Sequence, residues 1–319
     1  MNVYLSEYIA PSARKRLEEN CTIVDNFDHP ELLDGIIVRR AKVTRDIIEQ
    51  APRLKIISMH GVGLDTIDVE AAREYGVKVA NVPCASSESV AELAVSYLLA
   101  CSRKLKLADT GLGEGRFQHF GDARLIGHEV AGKKVGLIGS GHIARRVAAI
   151  MKNAFGCEIL CYNSHRSREE LAALGMEKVP ALETLFSTCD MISIHVPLTE
   201  ETQNLVDADV LSHAKPHLVL VNTSRGGIVD EDALYEALHH HTIAAAGMDV
   251  FVDEVPDKEH PLLHLDNCIC ALHVGGSTEE ALERVSNAAV DHLLMAFQGE
   301  EVHNVWEKPT LVPIPAFSA

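Results

Sequence analysis

The sequence predicts an α/β protein made of two doubly wound parallel-sheet domains, and three observations predict it. Short apolar runs alternate with polar helical patterns through roughly the first hundred residues. The alternation restarts at Lys133 and continues to Leu272. At the head of that second series, Gly139-Ser140-Gly141-His142-Ile143-Ala144 fits G-x-G-x-x-(G/A) between a strand and a helix. Strands and helices in strict alternation imply parallel sheets covered by helices.

In the first series, Val3–Leu5, Thr22–Val24, Ile36–Val38, Lys55–Ser58 and Lys78–Ala80 read as strands. Pro11–Asn20, Thr44–Gln50 and Val69–Tyr75 read as helices, with Thr44 as an N-cap and Gly76 as a terminator. Glu88–Leu107 predicts one long, largely apolar helix, and Gly111–Gly121 a glycine-rich loop that serves as an arm to another subunit.

The second series predicts strands over Val135–Ile138, Glu158–Tyr162, Lys178–Val179, Met191–His195, Leu218–Asn222, Ala244–Val250 and Cys268–Leu272. Helices fall over Ala144–Met151, Ala181–Ser187, Asp207–Leu211 and Asp230–His239, and Thr278–Gly299 is a final amphipathic helix. The strand, glycine turn and helix start around Gly139 form a dinucleotide-binding fingerprint. Gly139 permits the tight turn, Gly141 lets backbone approach a pyrophosphate, and Ala144 allows close helix packing. The phosphates then sit on unpaired N–H groups at the positive end of the helix.

A chain of 319 residues, 47% apolar and 24% charged, has the composition of an ordinary globular protein with room for two cores. Its formal charge of −17 argues against nucleic-acid or anionic-membrane partners. The start lacks the regions of a signal peptide, and the longest apolar stretch, Val90–Cys101, is interrupted by Glu92 and Ser96. The expected location is cytoplasmic. Eight cysteines lie mostly inside apolar runs without a C-x-x-C pair, so they read as small buried residues. His239-His240-His241 reads as a solvated helix end, and no metal is expected.

Past the glycine turn, chemistry-bearing groups stand at the ends of later strands: Arg225 in Asn-Thr-Ser-Arg-Gly-Gly, Asp249 and Glu254 in one loop, and His273 after the last strand. In a doubly wound sheet those ends converge on one crevice. Arginine grips a carboxylate with two hydrogen bonds, histidine supplies a proton to an alkoxide, and a carboxylate holds the imidazole. Such a set beside a nicotinamide suits hydride transfer to a carbonyl.

These motifs together resemble the D-isomer-specific 2-hydroxyacid dehydrogenase family. The resemblance runs from about Gly61 to Val305, through Gly61-Val62-Gly63-Leu64-Asp65, Ser89-Val90-Ala91-Glu92, Gly127-His128-Glu129 and the glycine turn. It continues in His195-Val196-Pro197-Leu198-Thr199, Asn222-Thr223-Ser224-Arg225-Gly226, Asp249-Val250-Phe251 and His273-Val274-Gly275-Gly276. It implies a Rossmann dinucleotide-binding domain over 101–284 and a smaller flavodoxin-like substrate domain over 1–100, completed by 285–319. Arg225 then binds the carboxylate and carbonyl of a 2-oxo acid, and His273 is acid in reduction and base in oxidation. Glu254 hydrogen-bonds His273, while backbone N–H groups of Val62 and Gly63 receive the substrate carboxylate. Asp249 orients the nicotinamide carboxamide. Val196, Pro197, Thr202 and Thr223, with His142, Ile143, His273, Gly275 and Gly276, complete the cofactor set that the resemblance implies.

The chain departs from the family at Ala144 in the fingerprint, and at Leu272 and Val255, where prolines are usual. A further departure bears on the cofactor. An NAD-selective domain usually ends its second strand in Asp or Glu. Here that strand is followed by Asn163-Ser164-His165-Arg166, groups that donate to phosphate oxygens, and Ser167 caps the next helix. The expectation is an NADP-preferring reductase of a small 2-oxo acid to its D-2-hydroxy acid, working as a homodimer. Because no regulatory domain follows Ala319, a phosphoglycerate role is disfavoured. The rival expectation is a non-catalytic, cofactor-sensing, protein-binding member of the same fold, of the corepressor kind.

Overall fold

The computed structural model describes residues 1–306. The described residues divide into two compact units, Met1–Ser86 with those from Thr278 to Trp306, and Ser87–Ser277. These boundaries differ from those expected at 100/101 and 284/285. The helix Ser87–Ser102 buries Ala91, Ala94, Leu98 and Cys101 in the core that holds Val135 and Leu137, so it belongs to the second unit. The helix Glu279–Gln298 buries Val285, Ala289, Val290 and Leu293 in the core of the first. The part of the expected C-terminal segment beyond Trp306 lies outside the described residues.

The first unit is a five-stranded parallel sheet of β1 (Asn2–Leu5), β2 (Thr22–Val24), β3 (Gly35–Val38), β4 (Ile56–Met59) and β5 (Lys78–Ala80), in the order β2-β1-β3-β4-β5. Strands β3 and β4 are buried on both faces; Ile36–Val38 is an apolar run, and in β4 the buried Ser58 hydroxyl lies 3.2 Å from His292 Nδ1. Pro11–Asn20 is helical as expected, with proline at its first position. Thr44 has the extended backbone of an N-cap, but its side chain makes no capping bond. Asp68 does cap its helix, accepting from Ala71 N.

The second unit is a seven-stranded parallel sheet. Its strands are β6 (Lys134–Ile138), β7 (Glu158–Tyr162), β8 (Glu177–Lys178), β9 (Met191–Ile194), β10 (Val219–Asn222), β11 (Ala245–Met248) and β12 (Cys268–Cys270). They lie in the order β12-β11-β10-β9-β6-β7-β8, so the chain reverses direction across the sheet at β6, beside β9. Ligands bind at such reversals, beyond the carboxyl ends of the strands.

Two expectations near the start of this unit fail for local reasons. The helix expected over 88–107 is two helices, Ser87–Ser102 and Leu105–Gly113, separated by Lys104 in left-handed backbone at φ 53°. The expected loop begins later, because Gly111–Gly113 are helical and the Phe117 ring packs where a Gly111 side chain would stand. Among the described residues no helix is long and apolar enough to cross a membrane.

Candidate active site

The glycine turn follows β6. Gly139 has φ 99°, and a Cβ there would overlap the His195 carbonyl, so only glycine serves. Beyond it the helix His142–Phe155 starts at Gly141 with no side chain capping it, and nothing stands within 4 Å of a Cβ at Gly141. Uncapped N–H groups facing open space fit a pyrophosphate. Two further observations fit a bound group at this edge. Among the described residues the Thr223 hydroxyl and both ring nitrogens of His195 are buried without a hydrogen-bond partner, and they follow the paired residues Asn222 and Ile194 of neighbouring strands. Burial drives the His195 imidazole down to about 3, so it stays neutral. Val196 packs against the core and Pro197 is exposed at the rim, while the Thr202 hydroxyl donates to Pro197 O at 2.7 Å and shapes that turn.

The loop after β7 is built by Asn163. Its side-chain oxygen accepts from His165 N at 2.9 Å and Arg166 N at 2.8 Å, and its amide donates to Ser140 Oγ in the glycine turn at 3.1 Å. Asn163 therefore spends its amide on the turn. Ser164 and His165 stay exposed and Arg166 half-exposed, with Glu170 3.9 Å from the guanidinium. Lys178 Nζ donates to Arg166 O at 2.6 Å, a tether from β8 that the sequence reading missed. Ser167 does cap the following helix, in a reciprocal capping box with Glu170.

Arg225, Asp249, Glu254 and His273 follow three adjacent strands, β10, β11 and β12. Buried Asn222 fixes the arginine turn. Its amide nitrogen donates to Arg225 O at 2.9 Å and its oxygen accepts from Ser224 N at 3.0 Å. Ser224 Oγ donates to Ile194 O at 2.7 Å, and Arg225 Nη1 donates to Ser224 O at 2.8 Å. An asparagine ending a buried strand before Thr-Ser was the overlooked signal. A Cβ on Gly226 would overlap the Phe251 carbonyl, so the arginine turn and the Phe251 loop lie back to back.

Asp249 departs from expectation. Its carboxylate is buried and accepts from Val274 N and Gly275 N, both at 2.8 Å, while Asp249 O accepts from His273 N at 2.6 Å. Both oxygens hold the His273 loop, a role the sequence reading did not give them. The clamp explains how His273, a non-glycine residue, holds left-handed backbone at φ 50°. Burial pushes the Asp249 carboxyl up, and the two N–H groups partly offset this. His273 is half-buried, and Gly275 is buried beside Val90 and Gly276 half-buried. Glu254 is exposed and, among the described residues, makes no hydrogen bond or ion pair, so the expected pairing with His273 is not formed here. Its loop is anchored by Glu231, which accepts from Val252 N at 2.7 Å and lies 3.2 Å from His260 Nε2.

In the first unit, the carbonyls of the 61–63 loop are tied back: Val82 N donates to Gly61 O at 2.8 Å and the Asn81 amide to Val62 O at 2.7 Å. Among the described residues the N–H groups of Val62 and Gly63 make no hydrogen bond, which leaves two donors for a ligand. His60, just before the loop, is buried and bonded through Nε2 to Ser286 Oγ at 2.9 Å. Elsewhere, His239 stacks on Tyr235 and His240 lies 3.1 Å from Glu236.

An open glycine turn before a bare helix start, with arginine, histidine and carboxylate groups following adjacent strands, is an arrangement that fits a bound dinucleotide. Residues 95–275 match the family described as D-isomer specific 2-hydroxyacid dehydrogenase, NAD binding domain. The D-3-phosphoglycerate dehydrogenase of Methanocaldococcus jannaschii is 41% identical over 98% of this chain, which spans 60% of that relative's length. The hydroxypyruvate reductase of Thermotoga maritima is 43% identical over 83% of this chain and 84% of its own. The solved TT0316 protein from Thermus thermophilus superposes with a TM-score of 0.89 at 30% identity, covering 96% of this chain and 100% of that one. The chain belongs to the D-isomer specific 2-hydroxyacid dehydrogenase family.

Proposed function

We propose that this chain is an NADPH-preferring reductase of a small 2-oxo acid, giving the D-2-hydroxy acid. The observation that carries the reading is the row of strand ends: Arg225 after β10, the Asp249 clamp after β11 and His273 after β12. Arg225 has a planar fork for the substrate's carboxylate and carbonyl oxygens. Within the first unit, the unspent N–H groups of Val62 and Gly63 are donors of the kind a carboxylate accepts from. The nicotinamide, when bound, supplies the hydride. His273 holds the proton that the new alkoxide takes, and Glu254, when its exposed loop turns inward, favours the charged imidazole.

The cofactor preference rests on the loop after β7. It has no carboxylate to pair with a ribose hydroxyl and repel a 2′-phosphate. Ser164 and the incompletely paired Arg166 are the donors for that phosphate. Leu105, Leu112, Phe120 and Ile126 are exposed apolar side chains, and they are the ones we assign to a homodimer contact.

The test is NADPH and NADH oxidation with glyoxylate, hydroxypyruvate, 2-ketogluconate, phosphohydroxypyruvate and branched or aromatic 2-oxo acids. Turnover with at least one substrate and higher efficiency with NADPH are expected. No oxidation with any of them overturns the enzymatic reading in favour of cofactor binding alone; equal or better efficiency with NADH overturns the cofactor assignment.

A further inference from the structure

The eight cysteines are unequal. Cys268 and Cys270 lie on one face of β12, with Sγ atoms 3.6 Å apart, and among the described residues no other two thiols are within hydrogen-bond reach. Cys268 is fully buried, whereas Cys270 is half-buried. Lys106 Nζ donates to Cys268 O at 2.7 Å and to Leu263 O at 3.1 Å, placing a positive charge beside the pair. The hydrogen bond shared with Cys268 lowers the Cys270 thiol below its ordinary range, burial opposes this, and the Lys106 charge helps. Alternate residues of a strand have Cα atoms about 6.6 Å apart, inside the upper end of the disulfide range of roughly 4.4–6.8 Å. A disulfide here is therefore possible but stretched, the readily reduced kind.

We propose that Cys268 and Cys270 are a peroxide-oxidised, reversible dithiol site that governs the position of His273. In the first step the Cys270 thiolate sulfur attacks peroxide and breaks its O–O bond. This gives Cys270 sulfenic acid and, after protonation, one water. In the second step the Cys268 sulfur displaces the sulfenic hydroxyl, which leaves as a second water as the S–S bond forms. Two thiol hydrogens and one peroxide thus become two waters, and the sulfurs give up two electrons. Cys270 attacks because it is the less buried of the two and its thiol is lowered; Cys268 needs only to meet its neighbour.

The consequence follows from chain connectivity. Cys270 pairs with Met248 in the β11–β12 ladder, and three residues later His273 hangs from Asp249 O. Drawing the two sulfurs about 1.5 Å closer puckers β12 just before the loop that Asp249 clamps.

Peroxide treatment of the reduced, purified protein, followed by thiol alkylation and trypsin, tests this. Residues 259–284 form one tryptic peptide containing only these two cysteines. That peptide should appear unalkylated and lighter by two hydrogens, and return to the dithiol with dithiothreitol. NADPH turnover, a readout that rests on the proposed function, should fall roughly 10-fold or more and recover on reduction. In Cys268→Ser, Cys270 should instead over-oxidise to the sulfinic acid. In Cys270→Ser, peroxide should leave turnover within about twofold. The mass readout stands without any activity. A peptide that remains fully alkylated while exposed Cys84 oxidises, or that only gains oxygen, overturns the site. A disulfide that leaves turnover unchanged overturns its coupling to His273.

Discussion

Replacing Asp249 by asparagine separates two roles that one carboxylate could play. In the structure Asp249 accepts from Val274 N and Gly275 N at 2.8 Å each. The amide keeps one acceptor and turns an NH2 group toward the other N–H, forfeiting one charge-assisted bond of roughly 1.5–3 kcal/mol. The left-handed backbone of His273, φ 50°, stores a comparable strain of about 1–3 kcal/mol. The remaining side-chain bond and the backbone bond from His273 N to residue 249 O then hold the loop less firmly, and His273 shifts from its position. Global stability responds less. Burial already pushes the Asp249 carboxyl up, so removing its charge offsets part of the lost bond. The net stability change should stay within about 2 kcal/mol. Turnover at saturating cofactor should fall ~100-fold, the effect of about an ångström of misplacement, with cofactor affinity nearly unchanged. Steady-state kinetics, cofactor titration by fluorescence and thermal unfolding measure the three quantities. Turnover within about twofold of wild type would refute the clamp. Cofactor binding weakened about tenfold with turnover intact would assign Asp249 to the carboxamide instead.

Other expectations follow from neighbouring geometry. Arg225→Lys keeps the charge and loses the fork, so turnover should drop at least ~100-fold while cofactor affinity holds; near wild-type kinetics would remove Arg225 from substrate binding. Arg166→Ala should weaken NADPH by ~1.5–3 kcal/mol and leave NADH unchanged, and equal losses for both cofactors would contradict a phosphate contact. Gly226→Ala drives a methyl into the Phe251 carbonyl and should lower stability by about 1–3 kcal/mol, read as a reduced urea midpoint. Burial, and then the Arg39 charge, depress His60 from 6.5 to about 4. Below the ordinary value the unfolded chain binds a proton that the folded chain refuses. Stability is thus fully present above 6.5 and declines by ~3 kcal/mol as pH falls to 4, a slope that His60→Gln should flatten.

The sequence by itself determined the elements whose signals are local. Apolar runs became buried strands, proline opened Pro11–Asn20, and the Gly139-Ser140-Gly141 spacing announced its turn, where Gly139 takes φ 99°. The break at Lys104 was invisible, since the apolar pattern runs across it and left-handed backbone on a lysine has no local sign. The same limit applied in the site. Arg225 and His273 were legible as residue types at strand ends, yet the clamp on His273 joins positions 249 and 274–275, far apart in the chain. The spacing of Cys268 and Cys270 was in plain view, but only folded side chains show two sulfurs 3.6 Å apart. Tertiary structure decided which polar groups are already spent, Asn163 and Asp249 among them, and which remain open, as at Val62, Gly63 and Arg166. That division depends on hydrogen bonds between distant segments, and residue type alone does not specify a partner.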